Sequence, residues 1–430
     1  MNNPIRHIAI LASVLMAMLL TTGCHSDGEA ATTEDTTPIS LAATVYGAAT
    51  RSGSAGCIDY SVLARSTYGF GVYAYGTKQW VNMQVTYQGS ESDPVANLED
   101  VHMHPGNWFY DTEEDWKSTD NISFLAYAPY VSAGSGSTGI TSLSASDVDN
   151  TTIGYGVASS LSESVDLLWG VKGTTGKPWL NTTLSMTGGP VIFTFHHALA
   201  AIGFHVQAMI DKDNKDTDFE DESNVDGILG SLAKVTIESV TITGPFYTSG
   251  SLNLNNDTKD TPKWTKSPAT PSSTEMTLSV ANGDIAQAYR HPTSITSSST
   301  SSEIKAGIIN SGTVTGVTQD AQQLLLAKDG TIERCFFAIP NEAQDYTVTL
   351  NWYVSGLSTS GSYLAKRHTS TMTIKGLQLK HDTKYYLNFI IGLRTVQLSV
   401  TATDWADVEQ PVVVTIEHGT SANSSLAPRR

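Results

Sequence analysis

Strict alternation of apolar and polar residues, sustained over many short segments, limits this chain more than any other feature. In VTLNWYV (348–354), Val348, Leu350, Trp352 and Val354 fall on one face, and Thr349, Asn351 and Tyr353 on the other. Tyr385, Leu387, Phe389, Ile391 and Leu393 repeat the pattern, and Val396, Leu398 and Val400 resume it after Arg394-Thr395. A period of two places successive side chains on opposite faces of extended backbone, so these segments are expected as half-buried strands. The stretch KVTIESVTIT (234–243) slips phase between Ile237 and Val240, which predicts a β-bulge. Helical periodicity is scarce; the one helix-like patch lies at 148–168. Short strands punctuated by Gly, Ser, Asn and Asp turns predict an all-β, sandwich-type protein. Its length of 430 residues allows two domains, and the division is placed near Gly244-Pro245. Ser/Gly-rich loops are expected at 132–146 and 293–302, and a solvated acidic hairpin tip at 211–222 (DKDNKDTDFEDE).

The N-terminus carries a different signal. Arg6 and His7 precede an apolar run at 8–20 (IAILASVLMAMLL), and small residues lead to Gly23-Cys24. That run is short of the roughly 20 residues a bilayer demands, but it suits the core of a secretory leader. Gly-Cys at its end is similar to a lipobox, in which the Cys24 thiol is acylated and becomes the new N-terminus. Leu20 stands four residues before Cys24, where the usual pattern has Leu three before; here that place holds Thr21. Asp27 and Glu29 follow, as in a surface-export tag.

A net charge of −17 argues against nucleic acid and anionic headgroups as partners. The three cysteines are Cys24, Cys57 and Cys335, so once Cys24 is acylated at most one disulfide is available. Nothing in their spacing indicates zinc or redox chemistry; Cys57 and Cys335 are expected as isolated thiols, with Cys335 in an apolar run as a small hydrophobe.

The remaining polar clusters read as structural. His102 and His104 alternate on one strand face, while His196, His197 and His205 lie within VIFTFHHALAAIGFHV (191–206), where hydrogen-bonded core histidines are commoner than metal ligands. No metal or cofactor is implied. The acidic stretch fails as an EF-hand, with Lys215 and Asp216 at the fifth and sixth positions. Glu113-Glu114-Asp115 is a surface charge run. Neither Gly53-Ser54-Ala55-Gly56 nor Gly134-Ser135-Gly136-Ser137 has nucleophile-elbow spacing, so the chain is not expected to be an enzyme.

Four stretches in order resemble the fimbrillin family, the type V pilins and pilus-associated lipoproteins of Bacteroidota. They are Ala49-Thr50-Arg51 with FGVYAY (70–75); Trp108-Phe109-Tyr110 and Trp116 with ISFLAYAPY (122–130); Asp166-Leu167-Leu168-Trp169-Gly170 with FTFHHALAAIG (193–203); and FFAIP (336–340) with Tyr385-Tyr386-Leu387 and Asp404-Trp405. The resemblance implies two tandem transthyretin-like β-sandwich domains after a lipoprotein signal peptide. It also implies a place on the outer-membrane surface or in a fimbrium, with adhesion as the output. In polymerising members an arginine-specific surface protease removes an N-terminal strand, and the groove left behind accepts a strand from the next subunit.

On that pattern, residues 1–23 are the signal peptide and 24–51 a lipidated propeptide with an N-terminal strand. The sandwiches occupy 52–245 and 246–418, and 419–430 is a flexible tail. Ile39, Leu41, Ala43 and Val45 of ISLAATVY (39–46) share one face and would fill the groove. Cleavage is expected between Arg51 and Ser52, with Arg65 as the rival. PVVVTIE (411–417) is the expected donor, through Val412, Val414 and Ile416. The alternative function is a surface glycan-binding lipoprotein for nutrient capture, with Trp80, Trp108, Trp116 and Trp179 as stacking platforms.

Overall fold

The computed structural model describes residues 37–46, 57–64, 69–87, 108–111, 114–173, 176–208, 224–225, 228–229, 234–256, 261–279, 324–325, 328–329, 332–357, 363–391, 396–404, 410–412 and 414–418. Cys24, Arg51, Ser52, Arg65, His102, His104, Glu113, the acidic stretch 211–222, the loop 293–302, the leader and the tail lie outside the described residues. What is described is nearly all strand, with two helices of one turn each, Tyr60–Leu63 and Leu184–Thr187.

An eight-stranded sheet runs in the order Leu41–Val45, Val191–His197, Leu168–Lys172, Ile122–Ala128, Phe70–Gly76, Trp80–Tyr87 and Trp108–Phe109, with Trp179–Thr182 also paired to Ile122–Ala128. Its middle strands are apolar on both sides. Phe70, Val72, Ala74, Ile122, Phe124 and Ala126 enter one apolar cluster, and Tyr73, Leu125 and Tyr127 enter another. That is why FGVYAY and ISFLAYA read as near-continuous apolar runs. A four-stranded sheet (Lys263–Ser267, Ser249–Asn253, Thr151–Gly156, Gly139–Ala145) covers the second face, contributing Ile140, Ile153, Tyr155 and Leu252.

Two further sheets share one core. A six-stranded sheet contains Ala200–Ala208, Thr383–Ile391, Val396–Asp404 and Gln410–Pro411; a five-stranded sheet runs Ser272–Ser279, Lys234–Phe246, Asn341–Leu357, Tyr363–Leu379 and Thr415–His418. Their inward faces interdigitate as the alternation predicts. Tyr385, Leu387, Phe389, Ile391, Leu398 and Val400 meet Val240, Ile242, Val348, Leu350, Trp352 and Ile374. The predicted bulge is present: the register between Lys234–Phe246 and Asn341–Leu357 shifts between Ile237 and Ser239.

Three expectations need correcting. Gly244 and Pro245 lie inside the strand Lys234–Phe246, and strands from either side of them share sheets; Ser249–Asn253 pairs with Thr151–Gly156. Here glycine serves a close approach, since a Cβ on Gly244 would stand 2.3 Å from the Tyr346 ring. The Pro245 carbonyl accepts a 2.6 Å hydrogen bond from Asn341. The helix-like patch at 148–168 is the strand Thr151–Gly156 followed by one turn of 3₁₀ helix, Leu161–Glu163, because Ile153 and Tyr155 alternate into the core. Within the Ser/Gly-rich 132–146, Gly139–Ala145 is a strand, with Ile140 buried and Leu143 packed against the same core.

Candidate functional site

The N-terminal strand has the least usual environment in the fold. Leu41–Val45 is the edge of the eight-stranded sheet and lies parallel to Val191–His197, with Leu41 opposite Val191 and Val45 opposite Phe195. Hydrogen bonds extend the ladder past both ends, from Val191 N to the Ser40 carbonyl (2.8 Å) and from Tyr46 N to the Phe195 carbonyl (2.7 Å). Ile39, Leu41 and Ala43 are 1%, 1% and 5% exposed, and Val45 packs against the same cluster, so the expected inward face is the observed one. Ala42 is buried as well, where alternation alone would turn it outward. Burying the Ile39 and Leu41 side chains contributes about 1.5–3 kcal/mol each.

Polar contacts pin the strand at its start. Thr37–Pro38 pairs with Asp115–Trp116, Ile39 N donates to the Glu114 carbonyl (2.7 Å), and the Tyr110 hydroxyl donates to the Ile39 carbonyl (2.7 Å). Glu114, read from the sequence as part of a surface charge run, is thus a structural post. Its carboxylate meets Lys78 Nζ at 2.6 Å and accepts from Trp80 Nε1 at 3.1 Å. The Lys78 hydrogen bond, with that of Trp80, holds its pKa below the ordinary carboxylate range against the opposing effect of burial.

At the other end, Tyr46 stacks on His196 with ring centroids 4.6 Å apart. His196 opens a buried polar network. Its Nδ1 lies 2.8 Å from Asp382 Oδ2, His197 N donates to Asp382 Oδ1 (2.6 Å), and His197 Nδ1 lies 2.7 Å from Asp166 Oδ2. Asp166, with no exposed surface, also accepts from Ile58 N (3.1 Å) and Leu167 N (2.9 Å). His205 stands apart from these two, with Nδ1 2.9 Å from Asn388 Oδ1 and its ring stacked on Tyr386. The histidines therefore belong to side-chain hydrogen bonds, as the apolar setting predicted.

Burial works to raise the Asp382 pKa, but hydrogen bonds from His196 and His381 and the nearby histidine charges outweigh it and hold the carboxyl well below the usual range. A depressed folded pKa gives stability that is complete above the unfolded value, near pH 4, and is lost as pH falls toward the folded value. Thermal melts between pH 5 and pH 2.5 are therefore expected to show a steeper loss for the wild type than for Asp382→Asn. Parallel curves would assign the acid sensitivity to other groups.

The next described segment after Tyr46 starts at Cys57. Asp59 caps the helix Tyr60–Leu63 by accepting from Val62 N at 2.8 Å, and Ile58, Tyr60, Val62, Leu63 and Ala64 join the cluster that holds the N-terminal strand. Arg51 and Ser52 thus fall in the connection between two segments seated on one core. At the far end of the chain, Gln410–Pro411 edges the six-stranded sheet and Thr415–His418 edges the five-stranded sheet. Val412, Val414 and Ile416 all pack, partly buried, on the core between those sheets. The four tryptophans considered as sugar platforms are core instead: Trp80, Trp108, Trp116 and Trp179 are buried in the cluster under the N-terminal strand, where aromatic area is worth most.

The profile described as fimbrillin-like matches residues 66–405. The chain belongs to the fimbrillin-like family. Among solved structures, it is similar to a fimbrial protein from Bacteroides vulgatus at 18% identity, covering 85% of this chain and 99% of that one, with a TM-score of 0.57. A candidate cell adhesion protein from Bacteroides uniformis matches at 12% identity over 86% of this chain and 99% of its own, with a TM-score of 0.40. A fimbrial assembly protein from Parabacteroides distasonis matches at 10% identity over 89% and 100%, with a TM-score of 0.30. Only the first is near enough to bear on the fold. No curated protein matches the sequence. For a fimbrillin-like chain, sequence reasoning located the N-terminal strand but missed the residues that fasten it: Tyr110, Glu114, Asp166 and Asp382. The single hint was Asp166 at the head of the DLLWG stretch, a charged residue abutting an apolar run.

Proposed function

We propose that this fimbrillin-like protein is a structural or accessory subunit of cell-surface fimbriae, serving adhesion and assembling by protease-triggered strand exchange with other fimbrial subunits. In this reading the precursor is exported, carried on the outer membrane by a lipid on Cys24, and cut between Arg51 and Ser52 by an arginine-specific surface protease.

One observation carries the proposal. The only described strand ahead of Arg51 with apolar side chains in the core, Leu41–Val45, sits at a sheet edge and is held by a single strand neighbour in that sheet. Cutting the connection that follows it leaves the strand attached through non-covalent contacts alone. Its departure opens the edge of Val191–His197 and uncovers Val191, Phe193 and Phe195. Unpaired N–H and C=O groups beside an apolar cleft are what an incoming strand satisfies. Val412, Val414 and Ile416 have the two-residue spacing such a donor needs, and the segment bearing them must leave its own core before it can be given to a neighbour. Donation from head to tail does not close on itself, so it propagates a filament.

Limited digestion with an arginine-specific protease, followed by electron microscopy, tests this. The wild-type chain is expected to shorten to a form beginning at Ser52 and to form filaments, and Arg51→Ala to do neither. Filaments from an Arg51→Ala chain that stays uncut would refute processing at this bond.

A further inference from the structure

Cys57 and Cys335 lie far apart in sequence, yet both are buried, at 2% and 1% exposure, in the same apolar cluster. Ile58, the residue after Cys57, and Phe337, two residues after Cys335, are both anchored to one short buried segment. Ile58 N donates to Asp166 Oδ2 at 3.1 Å, and Phe337 N donates to Ser164 Oγ at 3.0 Å. Ser164 and Asp166 are themselves buried and two positions apart, so each cysteine lies within two residues of an anchor on the same short segment. Both residues are thiols in the structure. The cell surface, where a fimbrillin-like protein acts, is reached through an oxidising compartment in which neighbouring thiols are oxidised and stay so.

We propose that Cys57 and Cys335 form a disulfide in the exported protein. The step is an exchange with the disulfide of an envelope thiol oxidase. One cysteine thiolate attacks that disulfide, forming a mixed disulfide and releasing one oxidase thiolate. The second cysteine thiolate then displaces the other oxidase sulfur. The chain loses two protons and two electrons as its S–S bond forms, and the oxidase disulfide is reduced to a dithiol. Burial of both sulfurs places the exchange before the core closes and shields the finished bond from reductant.

The bond ties the segment that precedes the helix Tyr60–Leu63 to the residue just ahead of the strand Phe336–Ala338, which pairs with Ala200–Ala208. Its consequence for assembly rests on processing at Arg51, although the bond itself does not. A chain beginning at Ser52 would have its new N-terminal segment covalently fixed at Cys57, so that only the strand ahead of the cut is released.

The full chain is isolated from the cell envelope, denatured in N-ethylmaleimide with or without prior reduction, digested, and analysed by mass. Without reduction the expected result is a cross-linked pair of peptides containing Cys57 and Cys335, with no maleimide on either. After reduction both residues take up maleimide. In Cys335→Ala, Cys57 is expected to be labelled with no reductant present. Maleimide on both residues of the unreduced wild type would overturn the proposal, and so would a Cys57 that stays blocked in Cys335→Ala.

Discussion

Replacing Asp166 by alanine is expected to destabilise the protein by about 3–5 kcal/mol, the cost of leaving several buried hydrogen-bond donors without their acceptor. The Asp166 carboxylate is fully buried and accepts three hydrogen bonds, from His197 Nδ1, Ile58 N and Leu167 N. Those donors come from three separate segments: the strand next to the N-terminal strand, the segment resuming at Cys57, and the approach to Leu168–Lys172. Removing the carboxylate leaves two backbone amides and an imidazole without that acceptor in an apolar surrounding, where each deficit costs on the order of 1–3 kcal/mol. Urea denaturation of the two chains at neutral pH measures the difference. A loss below about 1 kcal/mol would mean that water reaches these donors once the side chain is gone, and the network would then be dispensable.

The second large effect is expected at Phe193. Its ring is fully buried in the cluster that the N-terminal strand also enters, with Ala43 as its register partner, and meets Phe70 and Phe195 at centroid distances of 5.8 and 6.2 Å. Truncation to alanine leaves a cavity among rigid aromatic neighbours that collapse poorly, so a cost of about 3–5 kcal/mol is expected. Ile192, one residue earlier, points away from that core and is 38% exposed. Ile192→Ala should cost about 0.5 kcal/mol, as surface substitutions do. The contrast between adjacent positions is the informative quantity, because it reports which face of Val191–His197 turns toward the core shared with the N-terminal strand. Equal losses would contradict the described register.

Much of this fold was legible because one face of most strands is buried and the other is not. Under that condition alternation marks both the strand and its inward side, as at Val348, Leu350 and Trp352 or Leu387 and Phe389. The same rule exposed the phase slip that became the bulge at Ile237–Ser239. It also picked out Ile39, Leu41 and Ala43 as a core-facing set. Pairing was not legible. Nothing local in ISLAATVY shows that its partner is Val191–His197, or that the two run parallel, because a ladder between segments so distant leaves no local trace. Gly244-Pro245 misled for a related reason: the glycine answers to the Tyr346 ring, a neighbour from another strand, rather than to a turn. The fastening network was hidden by the same separation, with His196 and Asp382 186 positions apart. Aromatic residues on strands were ambiguous until burial resolved them, and all four candidate sugar platforms became core.

These features converge on the fate of the segment before Arg51. The most direct measurement is the N-terminal sequence of this subunit in filaments purified from the cell surface. Strand exchange triggered at Arg51 predicts that the assembled chain begins at Ser52, with Ile39–Tyr46 absent. A chain that still begins at the acylated Cys24 within the filament shaft would contradict it, because the N-terminal strand would then remain in the groove that a donor must occupy.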